Sequence, residues 1–250
     1  MQAVLRKLSK PLIVLGVAAC SAQAAMAQTT SDFQVRVGGA WITPNTSNDN
    51  LVFEGTELEN FRASVGNKAG LVFNGTWFAT PNIGIELLAA LPFEHKINGR
   101  GELGPLGRLG STKHLPPTLS VQYHFLPYSE LRPYVGAGLN YTIFSSESVA
   151  DGVHDALIAT ANAATGGGFN GGDTKLSIKD SYGLSFQAGV DIHFTQRWFV
   201  NFDVRWIEID ADATLNSRTR NASGSDVTLR SKLDLSIDPW VYSATIGFRF

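Results

Sequence analysis

The chain has 250 residues, 20 Lys and Arg against 22 Asp and Glu, and one cysteine. Arg6, Lys7 and Lys10 fall in the first 27 residues, and without them the balance is 17 to 22, a net charge of about −5 that gives no pull toward nucleic acid. The length allows one or two domains. No apolar run after the leader approaches the roughly 20 residues of a spanning helix, so an integral protein of this sequence must be a closed β-barrel.

The leader comes first. Arg6, Lys7 and Lys10 form a basic region, Leu12 to Ala19 a short apolar core, and Ala25-Met26-Ala27 an A-x-A cleavage site. Residues 1–27 are therefore expected to be a cleaved signal peptide and residues 28–250 a single exported domain. Val17-Ala18-Ala19-Cys20 resembles a lipoprotein-processing box, which keeps processing at Cys20 open beside cleavage after Ala27. Under the latter, the mature domain has no disulfide, thiolate nucleophile or cysteine metal site.

Beyond the leader, alternating segments recur. Phe33 to Trp41 is the first, stopped by Pro44, and the second runs from about Ala69 to Phe78. Thr80-Pro81-Asn82 makes a tight turn into the third, where Ile85, Leu87, Ala89, Leu91 and Phe93 share one face and Glu86, Leu88 and Ala90 the other. A glycine-rich loop is expected over 98–113. The fourth segment sets Leu119, Val121, Tyr123 and Phe125 against Thr118, Ser120, Gln122 and His124. The fifth sets Val135, Ala137, Leu139, Tyr141 and Ile143 against Tyr134, Gly136, Gly138, Asn140 and Thr142. A long connection, 145–175, leads to a sixth from Tyr182 to Phe194, which turns tightly through Thr195-Gln196-Arg197 into a seventh. There Trp198, Val200, Phe202, Val204 and Trp206 oppose Asn201, Asp203 and Arg205. A polar loop around 217–226 precedes the last segment, where Trp240, Tyr242, Ala244, Ile246, Phe248 and Phe250 take one parity.

The bulky residues lie on one face and the small or polar ones on the other, as in a wall with lipid outside and a polar lumen inside. Trp198 to Trp206 and Trp240 to Phe248 each span eight positions. That is ~26 Å of strand, or ~20 Å along the membrane normal at a tilt near 40°, the separation of two interfacial aromatic girdles. Short and long connections alternate. The expected fold is all-β: an eight-stranded antiparallel transmembrane barrel with short periplasmic turns and long extracellular loops.

Five blocks in order are similar to the OmpW family of small outer-membrane barrels. They are Asn82 to Ala90 with Pro92-Phe93 and His95-Lys96-Ile97; His114 to Leu119; Arg132 to Thr142; Lys179 to Gly183; and Asp238 to Phe250. The resemblance covers the mature chain except the outer loops. It implies residence in the bacterial outer membrane, with the lipid bilayer as a partner, and passage of small hydrophobic molecules through a narrow, largely apolar interior. It also implies an inward Leu on the third strand and an inward Trp on the seventh. Leu88 matches the first; Arg205 stands at the second, with Asp203 on the same face. This departure suggests a charged waist of Arg205, Asp203 and Glu86. The final strand resembles those whose closing Phe is read by the barrel assembly machinery, which singles out Phe248 and Phe250.

An eight-stranded barrel holds its own side chains or one small ligand, so a solute needs an exit other than the bore. Counting along the third and fourth strands places Pro92 opposite Pro116, with Pro117 beside it, and Pro44 falls near Pro239 where the first and last strands close. Proline cannot donate to a ladder. The two seams are thus candidate lateral exits into the bilayer; the plain alternative is that these prolines end strands at the rim. Inward Glu86, Asp203 and Arg205 likewise read as a waist or as a stabilising ion network.

The five histidines lack tight metal spacing, although His95 and His114 flank one loop and can meet in space. No metal, cofactor or catalytic residue is expected. A lipid-modifying barrel enzyme would need His beside Ser and a carboxylate on the outer rim. His154, near Asp151 and Asp155, is its one candidate, without a nearby Ser. The other competing reading is a surface interaction protein, with receptor or adhesin loops on a plugged barrel.

Overall fold

The computed structural model describes residues 33–250; the expected signal peptide and Cys20 lie outside the described residues. Eight strands form the wall: β1 (Phe33–Thr43), β2 (Lys68–Phe78), β3 (Ile83–Ala90), β4 (Thr118–His124), β5 (Leu131–Val149), β6 (Ser181–His193), β7 (Trp198–Ile207) and β8 (Trp240–Arg249). Each pairs antiparallel with the next. β8 returns to β1, from Gln34 opposite Arg249 to Thr43 opposite Trp240, and closes the barrel. Closure leaves no unpaired edge to face lipid.

The outward parity is a belt of exposed apolar side chains, among them Trp41, Trp77, Leu119, Leu139, Phe202 and Trp240. At its outer margin Tyr141 stacks on Tyr182 with ring centroids 4.5 Å apart. At the opposite end Trp198, Phe248 and Phe250 pack edge to face.

Above this belt the connections expected as loops are mostly strand. Residues 98–113 belong to a hairpin of Phe93–Gly101 and Arg108–Leu115. Gly101 (φ 59°) and Gly107 (φ 65°) turn the chain there, a backbone conformation that side chains disfavour. Residues 217–226 belong to a second hairpin, paired from Asp210 opposite Ser236 to Arg220 opposite Asp226, with only a short turn at its tip. The connection 145–175 contains a helix, α1 (Val153–Thr165), which buries Val153, Leu157, Ile158 and Ala161 along one face and ends on left-handed Gly166.

These extensions form two sheets. One joins Phe61–Val65, Phe93–Gly101, Arg108–Leu115 and the outer part of β5. The other joins Asn170–Ile178, Asp210–Arg220, Asp226–Ser236 and short strands at Ser47–Asn48 and Leu51–Phe53. The alternation inverts as the chain leaves the membrane. On β7 the inward residues are Asn201, Asp203 and Arg205; the same parity then continues as buried Ile207, Ile209, Ala211 and Ala213. Within lipid the apolar face must point out. Above it, water lies outside and the apolar face turns in.

Candidate functional site

The barrel interior has two levels. The lower is a buried polar plug to which every one of the eight strands contributes. Arg36 from β1 and Arg205 from β7 both donate to Glu86 of β3, Arg205 Nη2 lying 2.5 Å from Glu86 Oε1. Gln122 Nε2 from β4 donates to Glu86 Oε2 at 2.9 Å, and Arg36 Nη2 to Thr76 Oγ1 of β2 at 3.4 Å. Tyr134 from β5 is the second hub. Its hydroxyl accepts from Arg36 Nη1 (2.8 Å) and Asn201 Nδ2 (3.0 Å) and donates to Asp203 Oδ2 (2.9 Å). Asp191 of β6 lies 3.5 Å from Arg36 and accepts from Asn201 at 2.8 Å; Gln187 accepts from Arg205. Thr245 of β8 donates to Asn201 Oδ1 at 3.4 Å. Gly189 makes room for Tyr134, since a Cβ there would sit 2.4 Å from its hydroxyl.

The expected trio is thus present: Arg205 Nε also lies 3.6 Å from Asp203 Oδ1. It is part of a larger network with two arginines and three carboxylates. Arg36, Asp191 and Tyr134 were not singled out from the sequence. The signal for Arg36 was its parity, since it shares the inward face with Gln34 while Phe33, Val35 and Val37 face out.

Leu88, one step above Glu86 on the inward face, belongs to a ring of buried Ala40, Ile42, Val72 and Ala90 that roofs the plug. Val241 packs against this ring and against the larger apolar cluster above it. That cluster surrounds a cavity of about 280 Å³. Its walls include Leu51, Phe144, Ile178, Leu235 and Ile237, and Leu157 of α1 reaches it from the side.

His95 and His114 do meet, at the cavity wall, stacked with centroids 4.6 Å apart. They lie on the extensions, beside outward Glu94 and Lys113. Burial pushes both below the ordinary histidine range, His114 to about 3 with His95 adding to the shift. Among the described residues no group of three His, Cys, Asp or Glu is placed to hold a metal ion. His154 uses both ring nitrogens, with Thr174 Oγ1 at 2.9 Å and Gly171 O at 3.1 Å, and so ties α1 to the strand Asn170–Ile178.

The two proline seams differ. Pairing of β3 with β4 stops at Leu88 opposite Thr118 and resumes at Phe93 opposite His114. Residues 89–92 and 115–117, with Pro92, Pro116 and Pro117 among them, have no partners in register across that stretch. Each side bonds away from it: Leu91 N to Leu71 O of β2 (3.4 Å), and Tyr141 N of β5 to Pro117 O (3.0 Å). The interruption is therefore level with the outer tyrosine belt. At the other seam Thr43 pairs with Trp240, Asn45 N donates to Ile237 O at 2.9 Å, and Ser47 pairs with Ser236. The ladder runs past Pro44 and Pro239, so the weak wall expected there is closed, because neighbouring donors carry the pairing. At the opposite rim Phe250 N donates to Phe33 O at 3.0 Å, fastening the last residue to β1.

A closed barrel with a lipid-facing apolar belt and a polar, side-chain-filled bore defines a small transmembrane β-barrel of the outer-membrane type. Residues 29–250 match the model of the OmpW family. The chain is 39% identical to outer membrane protein W of Vibrio cholerae over 236 residues, covering 93% of this chain and 95% of that one. It resembles the crystal structure of OprG from Pseudomonas aeruginosa with a TM-score of 0.72 and 30% identity, over 88% and 96% of the two chains. A more distant relative, 24% identical over 201 residues and 80% of each chain, is the dibenzothiophene metabolism operon protein PahQ of Pseudomonas aeruginosa. The chain belongs to the OmpW family and is a barrel of the bacterial outer membrane.

Proposed function

We propose that the protein admits small apolar molecules from the outside into the vestibule above the plug and releases them sideways into the bilayer between Ala89–Pro92 and Leu115–Pro117. The observation that carries this reading is the apolar cavity set above the apolar Leu88 ring, with the buried polar plug beneath. An apolar solute gains free energy by leaving water for such a cavity. It gains nothing by descending into a network of buried charges. The interrupted ladder at the outer tyrosine belt supplies the side route, where parting the wall breaks few backbone hydrogen bonds. PahQ, named for the metabolism of dibenzothiophene, an apolar fused aromatic, fits the same solute class. In this reading Leu88 is the roof of the plug, and Glu86, Asp203 and Arg205 form a fixed floor rather than a moving gate. Phe250 and Phe248 serve assembly. The signal peptide over residues 1–27 delivers the chain.

Uptake of an n-alkane by cells making the protein, compared with uptake of a polar solute of equal size, tests this. Alkane uptake above the level of cells lacking the protein, with unchanged polar uptake, is the expected result. Equal stimulation of both solutes contradicts the reading.

A further inference from the structure

Three polar side chains in the cavity lining, His95, Thr112 and Thr160, have their own hydrogens already committed. His95 Nδ1 lies 2.8 Å from the carbonyl oxygen of Gly66. A carbonyl only accepts, so Nδ1 carries the proton and Nε2 carries the lone pair. Nε2 is buried with no hydrogen-bond partner, on a residue only 2% exposed. Two hydroxyls in the same lining are similarly arranged. Thr160 Oγ1 donates to Ala156 O at 2.9 Å and Thr112 Oγ1 to Ser145 O at 3.4 Å, leaving only lone pairs to offer. The rest of the lining is dominated by aliphatic and aromatic carbon. An acceptor left unpaired in such surroundings carries a desolvation penalty, which a donor on a ligand recovers.

Resting on the vestibule reading above, we infer that the site selects apolar molecules bearing one hydrogen-bond donor, an aliphatic alcohol or a phenol, and that His95 Nε2 accepts the hydroxyl proton. A pure hydrocarbon enters the cavity but leaves Nε2 unpaired. A carboxylate brings charge and no donor, and is disfavoured. The cavity, at about 280 Å³, stands just below the ~300–1,000 Å³ typical of ligand sites, which limits the occupant to one small molecule. The stacked ring of His114 and the bond to Gly66 O hold the His95 imidazole in orientation, so the acceptor is preformed.

The experiment uses the full mature barrel in lipid nanodiscs, with 1-octanol and n-octane as probes. The nitrogen resonance of non-protonated His95 Nε2 is followed by NMR, and binding of each probe is measured for the wild type and for H95F. Octanol shifts the Nε2 resonance, octane does not, and octanol binds several-fold more tightly than octane; H95F removes that preference while retaining octane binding. If octanol occupies the cavity without moving the Nε2 resonance, or if H95F keeps the preference, the inference is overturned while the vestibule reading stands. If neither probe reaches the cavity, the vestibule reading falls and this inference with it. Should H95F fail to assemble, the Nε2 resonance of the wild type alone decides.

Discussion

Glu86 and Arg205 lie 119 positions apart in the chain and 2.5 Å apart across the bore, with Arg36 on the other oxygen of the same carboxylate. One acidic side chain thus joins the third strand to the first and the seventh. It does so where neither water nor lipid reaches, the side chains of all three being at most 2% exposed.

Removing that carboxylate leaves two buried guanidinium groups unbalanced. E86A is expected to lower stability by about 3–5 kcal/mol, the usual cost of breaking a buried ion pair by deleting one partner. Urea unfolding in lipid vesicles, followed by tryptophan fluorescence, measures it. E86Q, which keeps one acceptor, should cost less than E86A.

The inward residues named from the sequence, Glu86, Leu88, Asp203 and Arg205, were legible because a strand's period of two fixes the face once the lipid side is known. Partners across the bore were not legible in the same way. Which of Gln34, Arg36, Asp191 or Gln187 meets Glu86 depends on shear and tilt, which no single strand encodes. The extensions above the membrane escaped for another reason. Glycines at 99, 101, 104, 107 and 110 interrupt the apolar pattern, and in the second hairpin Leu233, Leu235 and Ile237 keep the alternation with its apolar side turned inward. A pattern tuned to lipid-facing bulk passes over such strands.

In the proposed route α1 bears on solute passage through Leu157, which lines the cavity. L157W replaces a cavity-lining leucine with a larger ring and is expected to reduce alkane uptake severalfold. The heat-dependent gel shift of the folded barrel should stay unchanged, which separates loss of cavity from loss of fold.

His114 gives the outer half a pH dependence. Its folded pKa of about 3 lies below the ordinary 6.5, so the unfolded chain takes up the proton first as pH falls. The contribution is complete above pH 6.5 and is lost progressively between 6.5 and about 3. Resistance of the extensions to protease should therefore decline from pH 7.5 to pH 5. H114F should flatten that part of the decline.

Phe250 is fastened to Phe33 through its backbone, while its ring is exposed toward lipid. F250A keeps the backbone bond, so the refolded barrel should be nearly as stable as the wild type. Its yield in the outer membrane of living cells should nevertheless fall, which quantitative blotting of membrane fractions reads directly.

The lateral route is the central claim, and the stretch between Leu91 and Leu115 is where it can be closed. Both residues are replaced by cysteine, in a chain whose one native cysteine is Cys20 in the expected leader, and are joined by a short reducible crosslinker. Alkane uptake falls to the level of cells without the protein and returns on reduction if solutes leave through this wall. Uptake that continues undiminished through the crosslinked barrel contradicts it.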